Sequence, residues 1–452
     1  MHNSRELRAL DAAHYMHPFT DTKALAESGT RIITKASGIF LEDIEGRRIL
    51  DGMSGLWCVA MGYGRRDFVD VACRQMLELP YYNSFFQCTH PPGIELARKL
   101  VELTPPQFNH AFFTGSGSES NDTIVRMVRR YWDLKGEPQR SVIISRWNAY
   151  HGSTMAGASL GGMKAMHGQG GLPIPDIVHI EQPYWYECGG NLTPTDFGLR
   201  AAQSLEDRIL EIGPNRVAAF IGEPVQGAGG VIIPPETYWP AIQRIVDKYG
   251  ILLISDEVIC GFGRTGQWFG CQHYGTKPDF LALAKAITSG YFPLGAVMVG
   301  DRVANTLIEK GGEFYHGFTY SGHPAGCAVA LANLNAMQKE GIVDQVRVTL
   351  APYWNQRWKE LEIHPLVGEA RCLGLLGAIE LAPHKPSREF FPHRGEIGRR
   401  CRDICIRNGL MIRAVWDTII AAPPLIISKQ EIDQLISTLL ASLNELQAQL
   451  HT

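Results

Sequence analysis

At 452 residues, 45% hydrophobic and 20% charged, the chain has the balance of an ordinary folded protein and a length that exceeds one small core, so two domains are expected. A formal net charge of −3 with both signs interspersed excludes a basic stripe for nucleic acid and a polybasic patch for a membrane surface, leaving small molecules and further copies of the chain as partners. The ten cysteines are scattered, with no Cys-x-x-Cys pair or Cys/His ligand set, which excludes a metal motif and predicts buried thiols in a reducing compartment.

In chain order, Met1 to Leu7 lacks the apolar core of a signal peptide, and no later segment has the unbroken apolar length of a membrane span, so a cytoplasmic protein is expected. Gly38 to Asp43 and Ile44 to Asp51 read as two short strands around a turn at Gly46. From residue 60 to 330, apolar runs alternate with helical patterns: His110 to Phe113, Ser141 to Ser145, Val217 to Gly222, Ile251 to Ser255, Phe280 to Ala284 and Leu294 to Val299. Such alternation predicts an α/β fold with a mostly parallel sheet flanked by helices. Beyond residue 331 come amphipathic helices and a few strands. The last helix opens with Ser428 and Glu431 as a capping box and places Ile432, Leu435, Ile436, Leu439, Leu440, Leu443 and Leu446 on one stripe. Residues 1–59 and 331–452 are read as one smaller α+β domain built from both chain ends, interrupted by a large domain at 60–330.

Ligands of an open parallel sheet collect beyond the carboxyl ends of its strands. Asp256 and Lys285 both close apolar runs at such ends. A lysine there loses its proton through desolvation and becomes an amine nucleophile, while a neighbouring aspartate holds a positive charge on something else. Pyridoxal phosphate requires that pair: a lysine to form a Schiff base and a carboxylate to keep the pyridine nitrogen protonated. Thr114 to Asn121, with Gly115, Gly117 and three serines, follows one strand and precedes a helix carrying Ile124, Val128, Tyr131 and Trp132 on one face. Its glycines and free amides suit a phosphate. Tyr150 and His151 follow the next strand, where an aromatic ring can stack on a planar cofactor. A competing motif is Gly157-x-Ser159-x-Gly161, the serine-hydrolase elbow, with Asp256 and His316 or His323 in the right order, although neither its flanking strand nor its helix reads as required.

Ser255 to Gly266, Pro278-Asp279, Ala284 to Tyr291, Gly317 to Pro324 and Phe113 to Glu119 together resemble the signature blocks of class III pyridoxal-phosphate aminotransferases, in the ω-amino acid or ω-amine:pyruvate branch. The resemblance implies a fold type I enzyme with a seven-stranded sheet. It further implies that Lys285 attaches the cofactor, Asp256 pairs with its ring nitrogen, Gly117 and Ser118 bind its phosphate, and Tyr150 and Val258 cover the ring's two faces. Glu223 would sit on the cofactor's hydroxyl side. Phe318 and Thr319 would reach the phosphate in a neighbouring subunit, making the active unit a homodimer or larger. Arg413 would bind the acceptor's carboxylate, and Trp57, Phe19, Phe85 and Phe86 would form pocket walls for an amine donor and a keto-acid acceptor. A decarboxylase or aminomutase of the same fold is the alternative, because fold does not fix the reaction.

Overall fold

The computed structural model describes residues 3–385 and 388–450; of the expected leaderless start, Met1 and His2 lie outside the described residues. Its centre is a seven-stranded sheet of β1 (Phe108–Thr114), β2 (Val142–Arg146), β3 (Ile177–Ile180), β4 (Val217–Gly222), β5 (Leu252–Asp256), β6 (Phe280–Leu283) and β7 (Gly295–Gly300). The spatial order is β1-β7-β6-β5-β4-β2-β3. Strand β7 runs antiparallel to both β1 and β6, and the remaining pairs are parallel. Parallel strands carry helices on both faces and so read as continuous apolar runs, which is why β4, β5 and β6 are buried at every position.

The period-2 geometry of a strand sends alternate side chains to opposite layers. Ile143, Ala219, Ile221, Leu252 and Ile254 pack under the helix Gly117–Leu134, which contributes the predicted Ile124, Val128, Tyr131 and Trp132. Val142, Ile144, Phe220 and Leu253 face the helices Pro194–Ile212 and Tyr238–Tyr249. The six apolar runs are all strands, and the seventh strand, β3, is absent from the pattern-based reading. It has four residues and follows Pro173, Pro175 and Asp176, a context that reads as a turn.

A second sheet joins distant parts of the chain. Ile33–Ser37, Phe40–Asp43 and Arg48–Asp51 form an antiparallel unit, and Leu410–Met411 pairs in parallel with its last strand, Leu410 opposite Leu50. A third sheet comprises Val367–Leu373, Leu376–Leu381, Thr418–Ala421 and Arg413–Val415. The closing helix Lys429–Leu450 begins at the predicted box, where Glu431 Oε2 accepts the Ser428 N–H at 2.8 Å and Ser428 Oγ accepts the Glu431 N–H at 3.3 Å. Its stripe is buried except for Leu440, which is 40% exposed. At 100° per residue Leu440 lies off the centre of that stripe, and Ser442 takes the buried place instead. Among the described residues no helix is long and apolar enough to cross a membrane.

His179, on β3, supplies a pH-dependent increment of stability. It and His167 both bring Nε2 to the Gly161 carbonyl, at 2.9 and 2.6 Å, and Trp147 stacks on its ring. Burial, with the charge of His167, lowers its pKa from 6.5 to about 4. The unfolded chain therefore binds this proton at a higher pH than the folded one, so the contribution is complete above pH 6.5 and declines as pH falls towards 4. Thermal unfolding at pH 7 and pH 5 should show a loss of roughly 1–2 kcal/mol that is reduced in His179→Gln. Equal losses in the two proteins would refute the assignment.

Candidate active site

Asp256 is the last residue of β5 and lies in register with Ala282 of the adjacent parallel strand β6, three positions before Lys285. Two residues far apart in sequence thus become neighbours at the carboxyl edge of the sheet. After Ala284 the backbone breaks into a short 3₁₀ turn, Lys285–Thr288, and Lys285 itself adopts φ +49°, a left-handed conformation that costs a non-glycine residue of the order of 1 kcal/mol or more. Asn333 holds the turn in place, its Nδ2 donating to the carbonyls of Ala286 at 2.9 Å and Ile287 at 3.0 Å.

The Asp256 carboxylate is almost wholly enclosed, yet each of its oxygens is satisfied. Oδ2 is 2.7 Å from His151 Nδ1 and accepts Asn121 Nδ2–H at 2.9 Å, while Oδ1 accepts the Val258 N–H at 3.1 Å. Burial alone would raise its pKa, but the His151 hydrogen bond and charge, with Asn121 and Val258, bring it below 3.8. At the neighbouring ammonium burial prevails instead of being overridden. Burial lowers the Lys285 pKa from 10.5 against the pull of Asp256, Cys58 and Glu223, and the charge of Arg413 lowers it further. Burial thus favours the neutral form of Lys285, the form in which an amine beside a fixed carboxylate is a nucleophile and a proton acceptor.

Both groups line a cavity of about 450 Å³, together with Gly117, Ser118, Tyr150, His151, Glu223 and Val258. At one end stands the start of the helix Gly117–Leu134, where Ser116 Oγ caps the Glu119 N–H. The N–H groups of Gly117 and Ser118 precede the helical ladder and are free for an anion. Gly152, at φ +132°, lets the segment after Tyr150 cross this helix start, because a Cβ there would meet Ser118 Cα at 2.8 Å. Glu223 accepts the N–H groups of Tyr150 at 3.1 Å and Gly227 at 2.9 Å, and burial raises its pKa. An anion cradle, a carboxylate held ionised and a desolvated lysine around one cavity fit pyridoxal phosphate.

The other residues singled out in the sequence fall into two groups. Arg413, Trp57 and Phe19 stand next to the cavity without being among its lining residues: Arg413 lies over Trp57, its guanidinium carbon 5.0 Å from the ring centroid, and the Phe19 ring is 6.2 Å from that of Tyr150. Phe318, Thr319, Phe85 and Phe86 do not line the cavity of their own chain. Thr319 receives Tyr81 Oη–H on its carbonyl, Phe85 packs against Gly317, and Phe86 is 88% exposed. Residue patterns missed Asn121, Asn333 and Cys58; Asn121 follows Ser118 by three helical positions, the spacing that puts it on the same face. The serine-hydrolase motif is overturned. Ser159 lies inside the helix Met155–Leu160, its hydroxyl bonded to the Met155 carbonyl at 2.6 Å and the Ile174 N–H at 3.0 Å. Asp256 belongs to His151, His316 is bonded to Thr123, and His323 caps Ala325.

The electrostatics can be measured at Lys285 directly. In cofactor-free protein, acetylation of Lys285 by acetic anhydride, followed by peptide mass spectrometry, should titrate with an apparent pKa below 10.5. Asp256→Asn removes a charge that raises this value and should lower it further. A wild-type value at or above 10.5 would contradict the burial argument.

Four likenesses bear on this site. A family model for class-III aminotransferases matches residues 24–443. The chain is 58% identical over 434 residues to the putrescine–pyruvate aminotransferase of Pseudomonas aeruginosa, covering 96% of this chain and 95% of that protein. It matches an (S)-enantioselective omega-transaminase of Thermomicrobium roseum at TM-score 0.94 and 45% identity, over 98% of this chain and 99% of the other. It also matches the omega-transaminase of Pseudomonas jessenii in complex with PMP at TM-score 0.96 and 38% identity, over 98% of each chain. With the fold type I sheet and a site suited to pyridoxal phosphate, the chain belongs to the class-III aminotransferases and is a pyridoxal-phosphate-dependent transaminase of small-molecule amines and keto acids.

Proposed function

We propose that the enzyme moves the amino group of an ω-amino acid, amine or diamine to pyruvate in two half-reactions, giving L-alanine and an aldehyde or oxo acid. The observation that carries this reading is Arg413. Its guanidinium is mostly buried, has no carboxylate partner among the described residues, and is close enough for its charge to act on Lys285. A desolvated, unpaired guanidinium next to the reacting amine suits the carboxylate of a keto acid, which it can bind bidentately. The likeness to a putrescine–pyruvate aminotransferase supports the same donor and acceptor classes.

When bound, pyridoxal phosphate carries the amino group between the two substrates and accepts an electron pair into its ring. The protein's residues do the rest. Lys285 Nζ, whose pKa burial lowers, would remove the proton from the amine-bearing carbon of the donor and return it on the cofactor side. Asp256, its carboxylate fixed by His151 and Asn121, would keep the ring nitrogen protonated. Gly117 and Ser118 would take the phosphate, and Tyr150, Val258 and Glu223, which line the same cavity, would hold the ring. Phe318 and Thr319 would reach the phosphate of a second copy, with Phe85 and Phe86 as pocket walls from the partner, which makes the working unit at least a homodimer. Trp57 and Phe19 wall the donor side. Residues 60–330 form the cofactor-binding domain and the two chain ends the smaller one. Ten free cysteines suit a cytoplasmic enzyme.

Loss of the visible band of the lysine-bound cofactor on adding an amine alone, and its return with pyruvate, is the expected spectral outcome. A ¹⁵N-labelled donor should deliver its nitrogen to alanine without release of carbon dioxide. Carbon dioxide release would establish a decarboxylase instead, and label returned within the donor skeleton an aminomutase. Lys285→Ala should lower turnover by about 10²–10⁴-fold. Light scattering should report at least twice the 50.1 kDa chain mass.

A further inference from the structure

A diamine donor poses a problem that this cavity must solve. Its far end carries a positive charge, and the cavity offers that charge no carboxylate. Asp256 and Glu223 are the carboxylates among the lining residues. The first is engaged by His151, Asn121 and Val258, and the second by Tyr150 and Gly227. Arg413, itself a cation, repels the incoming ammonium.

One surface close by already holds a cation. Trp57 has the Arg413 guanidinium 5.0 Å from its ring centroid, and the ring shares an apolar cluster with Tyr150 and Ile259, which both line the cavity. The quadrupole of an indole makes its face the best aromatic seat for a cation. This ring is also fixed before any ligand arrives. Trp57 is 2% exposed, and Ser54, Gly55 and Trp57 all have positive φ. Their loop is held by Asp51, which accepts the Met53 N–H at 2.9 Å, the Gly55 N–H at 2.6 Å and the Tyr63 hydroxyl at 2.7 Å. Ser54 Oγ donates to the Ala422 carbonyl at 2.7 Å and accepts Arg264 Nη2–H at 3.1 Å.

We infer that the face of Trp57 is a one-cation subsite, occupied in turn by the Arg413 guanidinium and by the far ammonium of a diamine donor. This rests on the amine:keto acid reading above. The two substrate classes then bind by different means at one place. A carboxylate draws the guanidinium towards itself, whereas a diamine exchanges its own charge for that of Arg413 on the same ring. Trp57 thereby determines specificity for a charge, beyond walling the pocket.

The test compares kcat/KM of the holoenzyme, with pyruvate as acceptor, for 1,4-diaminobutane and for pentylamine, which has a methyl in place of the far ammonium. Trp57→Leu should lower the diamine-to-monoamine ratio by about tenfold and Trp57→Phe by a smaller factor, following the strength of the aromatic face. Arg413→Gln should raise kcat/KM for the diamine several-fold while raising KM for pyruvate. Parallel losses for both donors in the Trp57 variants would overturn the subsite, leaving Trp57 a packing residue; so would a diamine rate that falls in Arg413→Gln. If Trp57→Leu does not fold, judged by cofactor absorbance and unfolding temperature, Trp57→Phe decides. A wild-type enzyme that uses pentylamine and refuses the diamine refutes the subsite and leaves transamination standing. A wild type that turns over no amine removes the functional reading itself, and the inference with it.

Discussion

The Asp256 carboxylate is ionised where almost no water reaches it, and the rest of the site is arranged around that charge. A carboxylate buried without partners would take up a proton and lose the ability to hold a cation opposite it. His151, Asn121 and the Val258 N–H prevent this, and each comes from a different segment: the exit of β2, the helix after β1 and the exit of β5 itself. The charge so retained acts on Lys285, which burial drives towards the neutral amine while Asp256 draws it back. The two groups stay opposite in character because the donors around the aspartate have no counterpart around the lysine.

The sheet makes this possible at low cost in chain length. Parallel connections return each strand in the same direction, so the exits of β2, β4, β5 and β6 converge on one edge and bring Tyr150, Glu223, Asp256 and Lys285 together. The antiparallel β7 separates β1 from β6 and sets the glycine-rich helix start at one end of the cavity. Around this rigid edge, the third sheet contributes Arg413 and the N-terminal region contributes Trp57. Chemistry and recognition are thus held by different parts of the chain.

The same division separates what is legible in the sequence from what only the fold brings together. Lys285 and Asp256 were legible because a charged residue closing a fully apolar run conflicts with burial unless it has work to do. The glycine-rich loop and Tyr150 were legible as strand exits, and the closing helix through its capping box and period. What escaped was whatever depends on contact across the fold. Asn333 is an ordinary polar residue on a helix until its amide meets the Lys285 turn. The Trp57–Arg413 contact joins opposite ends of the chain and has no sequence signature. Ile177–Ile180 was too short to stand out, Leu440 belonged to a stripe wider in sequence than in space, and Gly157-x-Ser159-x-Gly161 matched letters whose backbone is a helix.

The parallel pairing of Leu410–Met411 with Arg48–Asp51 has a consequence for how the molecule is made. All seven strands of the central sheet have been synthesised once Gly300 has emerged, before Asn333, which holds the Lys285 turn, and more than a hundred residues before the strand that closes the second sheet. The nascent chain therefore owns every cavity-lining group described above while Arg413 is still unsynthesised. Domains generally fold as units during synthesis. Synthesis thus supplies the lining of the cavity first, while Arg413 and the closing helix, whose apolar stripe packs into the same core as Leu281 and Leu283 of β6, come last.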